Sequence, residues 1–327
     1  MSNIVQNYQE DTDILVAEVP PDISETGNIA ESSRVSQCCN IKNNEFVIKI
    51  SELKKIATQV RRDIIRMVNA PKSGHPGGSL SCTDFLVALY FEILHHNPDC
   101  FDIDGKDQDI FILSNGHVAP AWYSVLARSG YFDIEELSSL RKFGSRLQGH
   151  PSTAEGLPGV RVATGSLGQG LSIAIGAALC KNLNNDDRLV YCLVGDGELQ
   201  EGQNWEAAMF APARKVDNLI VTIDYNRMQI DGPLEEVLSL GDLKAKWVSF
   251  GWDVLEMNGN DMEDVINTLY EAQKHTKKHK PVVIIMKTEM GMGVDFMMGT
   301  HKWHGVAPDD EQAKIALEQL QETIGDY

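Results

Sequence analysis

Asp196 stands between two glycines in "GDGELQEGQNWEAA" (195–208), directly after the apolar run "RLVYCLV". Gly195 and Gly197 let the main chain approach a bulky anion, and a helix opening near Glu198 offers free N–H groups to it. Asn226, in "DYNRM", closes the next apolar run 30 residues further on, the length of one strand–helix–strand unit. On neighbouring strands the two side chains meet at one rim of a sheet, outside the carboxyl ends where α/β proteins bind ligands. A carboxylate, a carboxamide and one main-chain carbonyl make a hard, all-oxygen and incomplete ligand set. Mg2+ suits such a set, because it fills its octahedron with phosphate oxygens and water. The acidic turn therefore reads as a metal–diphosphate anchor. Asp-Gly alone is a common turn, so the downstream strand-end Asn gives the signal its weight.

These turns need elements to hold them. "RLVYCLVGDG", "NLIVTIDYN", "DIFILSNGH", "FGWDVLEM" and "KPVVIIMKT" read as strands, most of them continuously apolar, as expected of a parallel sheet covered on both faces. Between them lie helical patterns. In 50–70, Leu53, Ile56, Ala57, Val60, Ile64 and Val68 share one face. Further helices are predicted for "CTDFLVALYFEIL", "VAPAWYSVLARSG", "DIEELSSLRKF" and "DMEDVINTLYEAQKH". "TGSLGQGLSIAIGAALCKNL" reads as a turn feeding a long buried helix, and "PDDEQAKIALEQLQETIG" as a terminal one. Alternating strand and helix gives the fold class: α/β, a parallel sheet flanked by helices. Residues 1–46 are acidic and polar, broken by Pro20 and Pro21, and read as a flexible extension, with an added strand at "DILVAEV" as the alternative. Residues 47–327 form the cofactor-anchoring domain.

Composition narrows the function. A formal net charge of −18 over 327 residues disfavours nonspecific binding to nucleic acid or to an anionic membrane. The N-terminus lacks the basic and apolar regions of a secretory signal, and no apolar run approaches membrane-spanning length. The six cysteines, including the adjacent Cys38 and Cys39, have neither metal-ligand nor redox spacing and read as reduced thiols of a cytoplasmic protein.

"GDGELQEGQNWEA…DYNRMQIDG" resembles the thiamine diphosphate motif, which begins with GDG and ends in Asn. "SGHPGGSLS", "SNGH", "QGHP", "TGSLGQGLS" and "GTHKWHG" resemble transketolase in order and spacing, from about residue 50 to about residue 310. The resemblance implies that Asp196, Asn226 and the carbonyl of Met228 hold Mg2+, with Ca2+ able to substitute. It implies that Gly165, Ser166, Leu167 and Gly197 line the cofactor, that Ile230 packs near its thiazolium ring, and that His117 and His301 contact its diphosphate end. His75, His150 and His301 would surround the reacting carbons, binding hydroxyls and moving protons, work suited to a near-neutral pKa. Ser166 departs from the family, many members of which carry Pro there. His304 stays open between a site and a structural role, while His95, His96, His275 and His279 read as structural or surface residues. Glu201 and Glu206 are either helix-surface charges or, as the resemblance implies, subunit contacts.

The resemblance also implies a partner. The second α/β domain of transketolase, which grips the aminopyrimidine ring, has no counterpart in these motifs. The chain therefore resembles the N-terminal half of a split transketolase, expected to join a C-terminal, pyrimidine-binding subunit in a dimer of heterodimers. The pair would move a two-carbon ketol unit from a ketose phosphate to an aldose phosphate. Other thiamine enzymes, a specialised sugar or ketoacid substrate and a non-catalytic cofactor-binding role stand as alternatives. A dinucleotide-binding reading fits poorly, since "TGSLGQG" spaces its glycines GxxGxG.

Overall fold

The computed structural model describes residues 49–327; the expected extension, its alternative strand and the Cys38–Cys39 pair lie outside the described residues. The described residues open with α1 (Ile50–Asn69), α2 (Pro76–Ser81) and α3 (Thr83–Ala88), then β1 (Ile110–Leu113) and α4 (Ala119–Arg128). Next come α5 (Gly170–Leu183), β2 (Val190–Gly195), α6 (Gly202–Ala213) and β3 (Leu219–Tyr225). A small hairpin of β4 (Met228–Gln229) and β5 (Gly232–Pro233) leads into α7 (Leu234–Leu238) and α8 (Leu243–Phe250). The described chain closes with β6 (Asp253–Asn258), α9 (Met262–His275), β7 (Val282–Lys287) and α10 (Asp310–Gln319).

The main sheet has the order β1-β2-β3-β7-β6, with every pairing parallel. Side chains of a strand alternate between faces, so the central strands of a sheet covered on both sides are apolar at nearly every position. Phe111, Leu113, Tyr191, Leu193, Ile220 and Ile284 enter one core, with α1, α3, α4 and α9. Their neighbours Ile110, Ile112, Cys192, Val194, Val221 and Ile285 enter the other, with α5, α6 and α8. At about 1.5–3 kcal/mol for each large aliphatic side chain removed from water, this double layer holds the strand ends in register. The register pairs Gly195 with Asp224, so the turns after β2 and β3 leave the sheet side by side.

Three helical expectations need correction. "DIEELSSLRKF" forms only a 3-10 turn, Ile134–Ser139, because Leu140 is extended and Arg141 takes a left-handed φ of 59°. "CTDFLVALYFEIL" divides into α3 and a π turn, Leu89–Ile93. The helix in "GLSIAIGAALCKNL" is buried on one face only; Ile173, Cys180 and Leu183 on α5 are exposed. Part of the glycine-rich "SGHPGGSLS" is itself helical: Pro76 opens α2, where its missing N–H costs no hydrogen bond. Gly77 is needed there, since a Cβ would stand 2.8 Å from the Met290 side chain and 2.9 Å from the Trp303 carbonyl. Cys82 and Cys192 are buried and reduced, and no disulfide forms among the described residues.

Candidate active site

The turns after β1, β2 and β3 meet over a cleft of about 320 Å3. Asp196 caps its own turn: Oδ1 accepts from Gly197 N at 2.7 Å and Oδ2 from Arg227 N at 2.5 Å. Asn226 lies beside it, its Oδ1 accepting from Met228 N at 3.0 Å and its Nδ2 donating to Asp224 Oδ2 at 3.1 Å. Arg227 between them has a left-handed φ of 63°, which folds this turn back over Asp196. Asp224 is fully buried and also takes hydrogen bonds from Ser81 and Thr288. Burial, and then the neighbouring Asp224, push the Asp196 carboxyl up to about 8. Two close carboxyl groups without a counter-cation are costly, and a divalent ion would restore the charge of Asp196.

Four imidazoles occupy the other wall. His75 precedes α2, His117 follows β1, and His150 and His304 come from the loops after 148 and 300. The ring centroid of His75 lies 5.2 Å from that of His117, 6.1 Å from His150 and 5.9 Å from His304, and His117 lies 5.1 Å from His304. Burial, followed by His304, Arg141 and His150, lowers His75 to about 4. Burial also lowers His117, His150 and His304, so all four are neutral bases or hydrogen-bonding groups near pH 7.

Of the expected site residues, His75, His117, His150, Gly165, Leu167, Asp196, Gly197, Asn226, Met228 and Ile230 line one cleft. His301 does not: it borders an adjoining hollow with Ile230, Lys302 and Trp303, while His304 takes the place in the imidazole cluster. Trp303 accounts for this by anchoring the turn, its Nε1 donating to the Phe296 carbonyl at 2.9 Å. Ser166 is exposed beside the cleft, whose lining comes from its neighbours Gly165 and Leu167. Glu201 lies exposed at the cleft edge and Glu206 exposed on α6.

Sequence reasoning missed Asn115, Asp224 and Glu198 among the cleft residues. Asn115 and Asp224 line the cleft, and so does Glu198, buried and accepting from Ser114 Oγ, Gly168 N and Gly195 N, which pins the turns after β1 and β2 and the loop before α5. Two signals were available: Asp224, a carboxylate in the mostly apolar "LIVTIDY", and Asn115 in the strand-end turn "SNGH".

The residues fit a bound diphosphate and its cation. Asn115 Oδ1, His75 Nδ1 and His304 Nδ1 are buried at the cleft without a protein partner, which suits a polar ligand. Among the described residues no group of three His, Cys, Asp or Glu side chains could hold a metal. A cation would therefore take Asp196, Asn226 and a main-chain carbonyl, with further oxygens from the ligand.

Residues 53–323 match the family described as "Transketolase, thiamine diphosphate binding domain". The chain belongs to the transketolase family. It is 41% identical over 277 residues to an apulose-4-phosphate transketolase subunit of Phocaeicola vulgatus, covering 85% of this chain and 96% of that one. It is 37% identical to a 6-deoxy-6-sulfo-D-fructose transketolase subunit of Clostridium sp., covering 83% of this chain and 96% of the relative. The solved transketolase of Campylobacter jejuni superposes with a TM-score of 0.76 at 35% identity, over 84% of this chain and 43% of that one. The chain thus spans nearly the full length of these subunit relatives and less than half of that solved transketolase. No helix among the described residues is long and apolar enough to cross a membrane.

Proposed function

We propose that this chain is the thiamine diphosphate-anchoring subunit of a two-component transketolase, with residues 47–327 as the anchoring domain. The pairing of Asp196 with Asn226 across adjacent strand ends, facing a cluster of neutral imidazoles, carries the reading. Its near-complete coverage of relatives named as subunits, against 43% of a solved transketolase, supports a separate partner carrying the pyrimidine-binding half. Asp196, Asn226 and the Met228 carbonyl would hold Mg2+, for which Ca2+ can substitute, and Gly165, Leu167, Gly197 and Ile230 would border the cofactor. When bound, thiamine diphosphate supplies an electron sink for breaking and making the carbon–carbon bond beside a ketose carbonyl. His75 and His304 each keep a free Nδ1 in the cleft, placed to accept or return a hydroxyl proton. His117 and His150 orient the sugar from either side, and their depressed pKa values keep an acceptor nitrogen available at neutral pH.

The partner has a place to dock. On α5 and α6, Ile173, Leu183, Met209 and Phe210 are exposed, and a groove of about 400 Å3 between the helices is lined by Leu179, Ala207 and Glu206. Glu206 in this groove and Glu201 at the cleft edge would meet the partner, in a dimer of heterodimers.

The test is ketol transfer with thiamine diphosphate and Mg2+, run on this chain alone and with its pyrimidine-binding partner. Donors are xylulose 5-phosphate and, because the subunit relatives are named for unusual sugars, apulose 4-phosphate. Transfer by the pair only is expected. Full transfer by the isolated chain would refute the split enzyme, and cofactor binding without transfer by the pair on any sugar phosphate would favour a non-catalytic role.

Gly165 offers a sharper probe of the imidazole wall. Its φ is +117° and a Cβ would stand 2.5 Å from His150 Cδ2. Gly165→Ala should push His150 from the cleft, lowering kcat of the assembled enzyme about tenfold or more and stability by about 1–3 kcal/mol. Unchanged steady-state kinetics would remove His150 from the reaction.

A further inference from the structure

Arg141 lies outside the cleft lining yet touches both sides of its histidine wall. The residue takes a φ of 59°, a left-handed conformation that costs energy for a bulky side chain and marks a position held by its surroundings. Its N–H donates to the Leu147 carbonyl at 2.9 Å, closing the loop that delivers His150. Nη1 donates to Ser73 Oγ at 2.8 Å, two residues before His75. The guanidinium lies flat on Gly149, one residue before His150, where a Cβ would stand 2.8 Å from Cζ, and Nη2 reaches towards the Gly149 carbonyl at 3.4 Å. Two loops, far apart in sequence and each ending in an active-site imidazole, are thus joined through one planar cation.

We propose that Arg141 is a positioning residue of this active site, a bridge whose geometry sets the spacing and orientation of His75 and His150. Around the pair, His117 and His304 face His75, with Asp231 beyond His304. Tyr123 interacts with Arg141 and with Glu155. Arg141 is a permanent cation acting on both rings, lowering His75 after burial and His304 have done so and His150 after burial. Lysine is a poor substitute, since a single ammonium cannot stack on Gly149 and hold Ser73 with the same plane.

Its kinetic arm rests on the transketolase reading, whereas its titration arm does not. The first experiment records the imidazole signals of the full chain, labelled at histidine, against pH, with His75→Asn and His150→Asn giving the assignments. In Arg141→Gln both midpoints should move up, while His96, held by Tyr131 and the Tyr90 carbonyl, stays in place. In Arg141→Lys the midpoints should remain near those of the parent. With the partner added, the acid limb of kcat should shift to higher pH in Arg141→Gln only, and kcat should fall in both variants. Unmoved midpoints in a folded Arg141→Gln chain, or equal shifts in both variants, would overturn the proposal. Should Arg141→Gln not fold, Ser73→Ala unhooks one arm of the bridge and should move His75 more than His150; an unmoved His75 there overturns it equally. A titration that behaves as expected beside a pair that transfers no ketol unit would indict the enzyme reading instead.

Discussion

Replacing Asp196 with asparagine should abolish retention of thiamine diphosphate and Mg2+ while leaving the metal-free chain folded and, at pH 8, more stable than its parent. Removing one partner of a buried charge pair costs about 3–5 kcal/mol, on the order of 100-fold or more in affinity. The stability gain follows from the sign of the shift. The carboxyl of Asp196 ionises near 3.8 in the unfolded chain and near 8 in the folded, metal-free one. Between these values the folded state holds a proton that the unfolded state does not. Its contribution is therefore fully present in acid and is lost as pH rises towards about 8. Asparagine removes that loss. It also gives up the hydrogen bond from Arg227 N or from Gly197 N, worth about 1 kcal/mol, which is smaller than the cost of two buried carboxylates. Calorimetric titration with the cofactor and melting in metal-free buffer at pH 6 and pH 8 would decide. Undiminished binding would take Asp196 out of the cation's ligand set, and a lower melting temperature at pH 8 would show that burial beside Asp224 does not strain it.

Gly176→Trp should block assembly without harming the isolated chain. Gly176 sits inside α5, where glycine costs about 1 kcal/mol relative to alanine, yet a Cβ there would meet nothing within 4 Å. A helix that keeps such a residue on an apolar outer face is suited to close approach by another backbone. In the isolated chain the substitution has open space and raises helix propensity. In the complex it forces an indole into the contact, costing about 3 kcal/mol, on the order of 100-fold in Kd. Co-purification and ketol transfer at subunit concentrations near the parent's Kd should both be lost, with the melting temperature of the chain unchanged or higher. Retained assembly would move the partner away from α5 and α6.

The fold was largely legible because a two-sided parallel sheet leaves a clear record: runs such as "LVYCLV" and "VVIIM" hold no charged residue for solvent to claim. Asp196 and Asn226 were legible for a related reason, since each ends such a run. Other features depend on contacts that local sequence does not encode. His301 and His304 are both glycine-neighbourhood histidines in "GTHKWHG", and the choice between them is made by Trp303 reaching the Phe296 carbonyl. The break after Ser139 comes with Arg141 reaching Ser73, a contact far away in sequence that "DIEELSSLRKF" does not encode. The outer face of α5 looked like core because its residues are apolar; in this chain that face is bare, so hydrophobicity marked a surface and not an interior.

Glu198 has a consequence for how the site meets its ligand. One carboxylate accepts from the turns after β1 and β2 and from the loop before α5, so none of the three can loosen without stranding the same buried acceptor. Ordering a loop residue costs roughly 1–2 kcal/mol, and here that entropy is lost as the chain folds, before any cofactor arrives. The cleft then behaves as a rigid receptor: its affinity reports contact chemistry undiluted by rearrangement, and occupancy raises the melting of the whole domain rather than quieting a single lid.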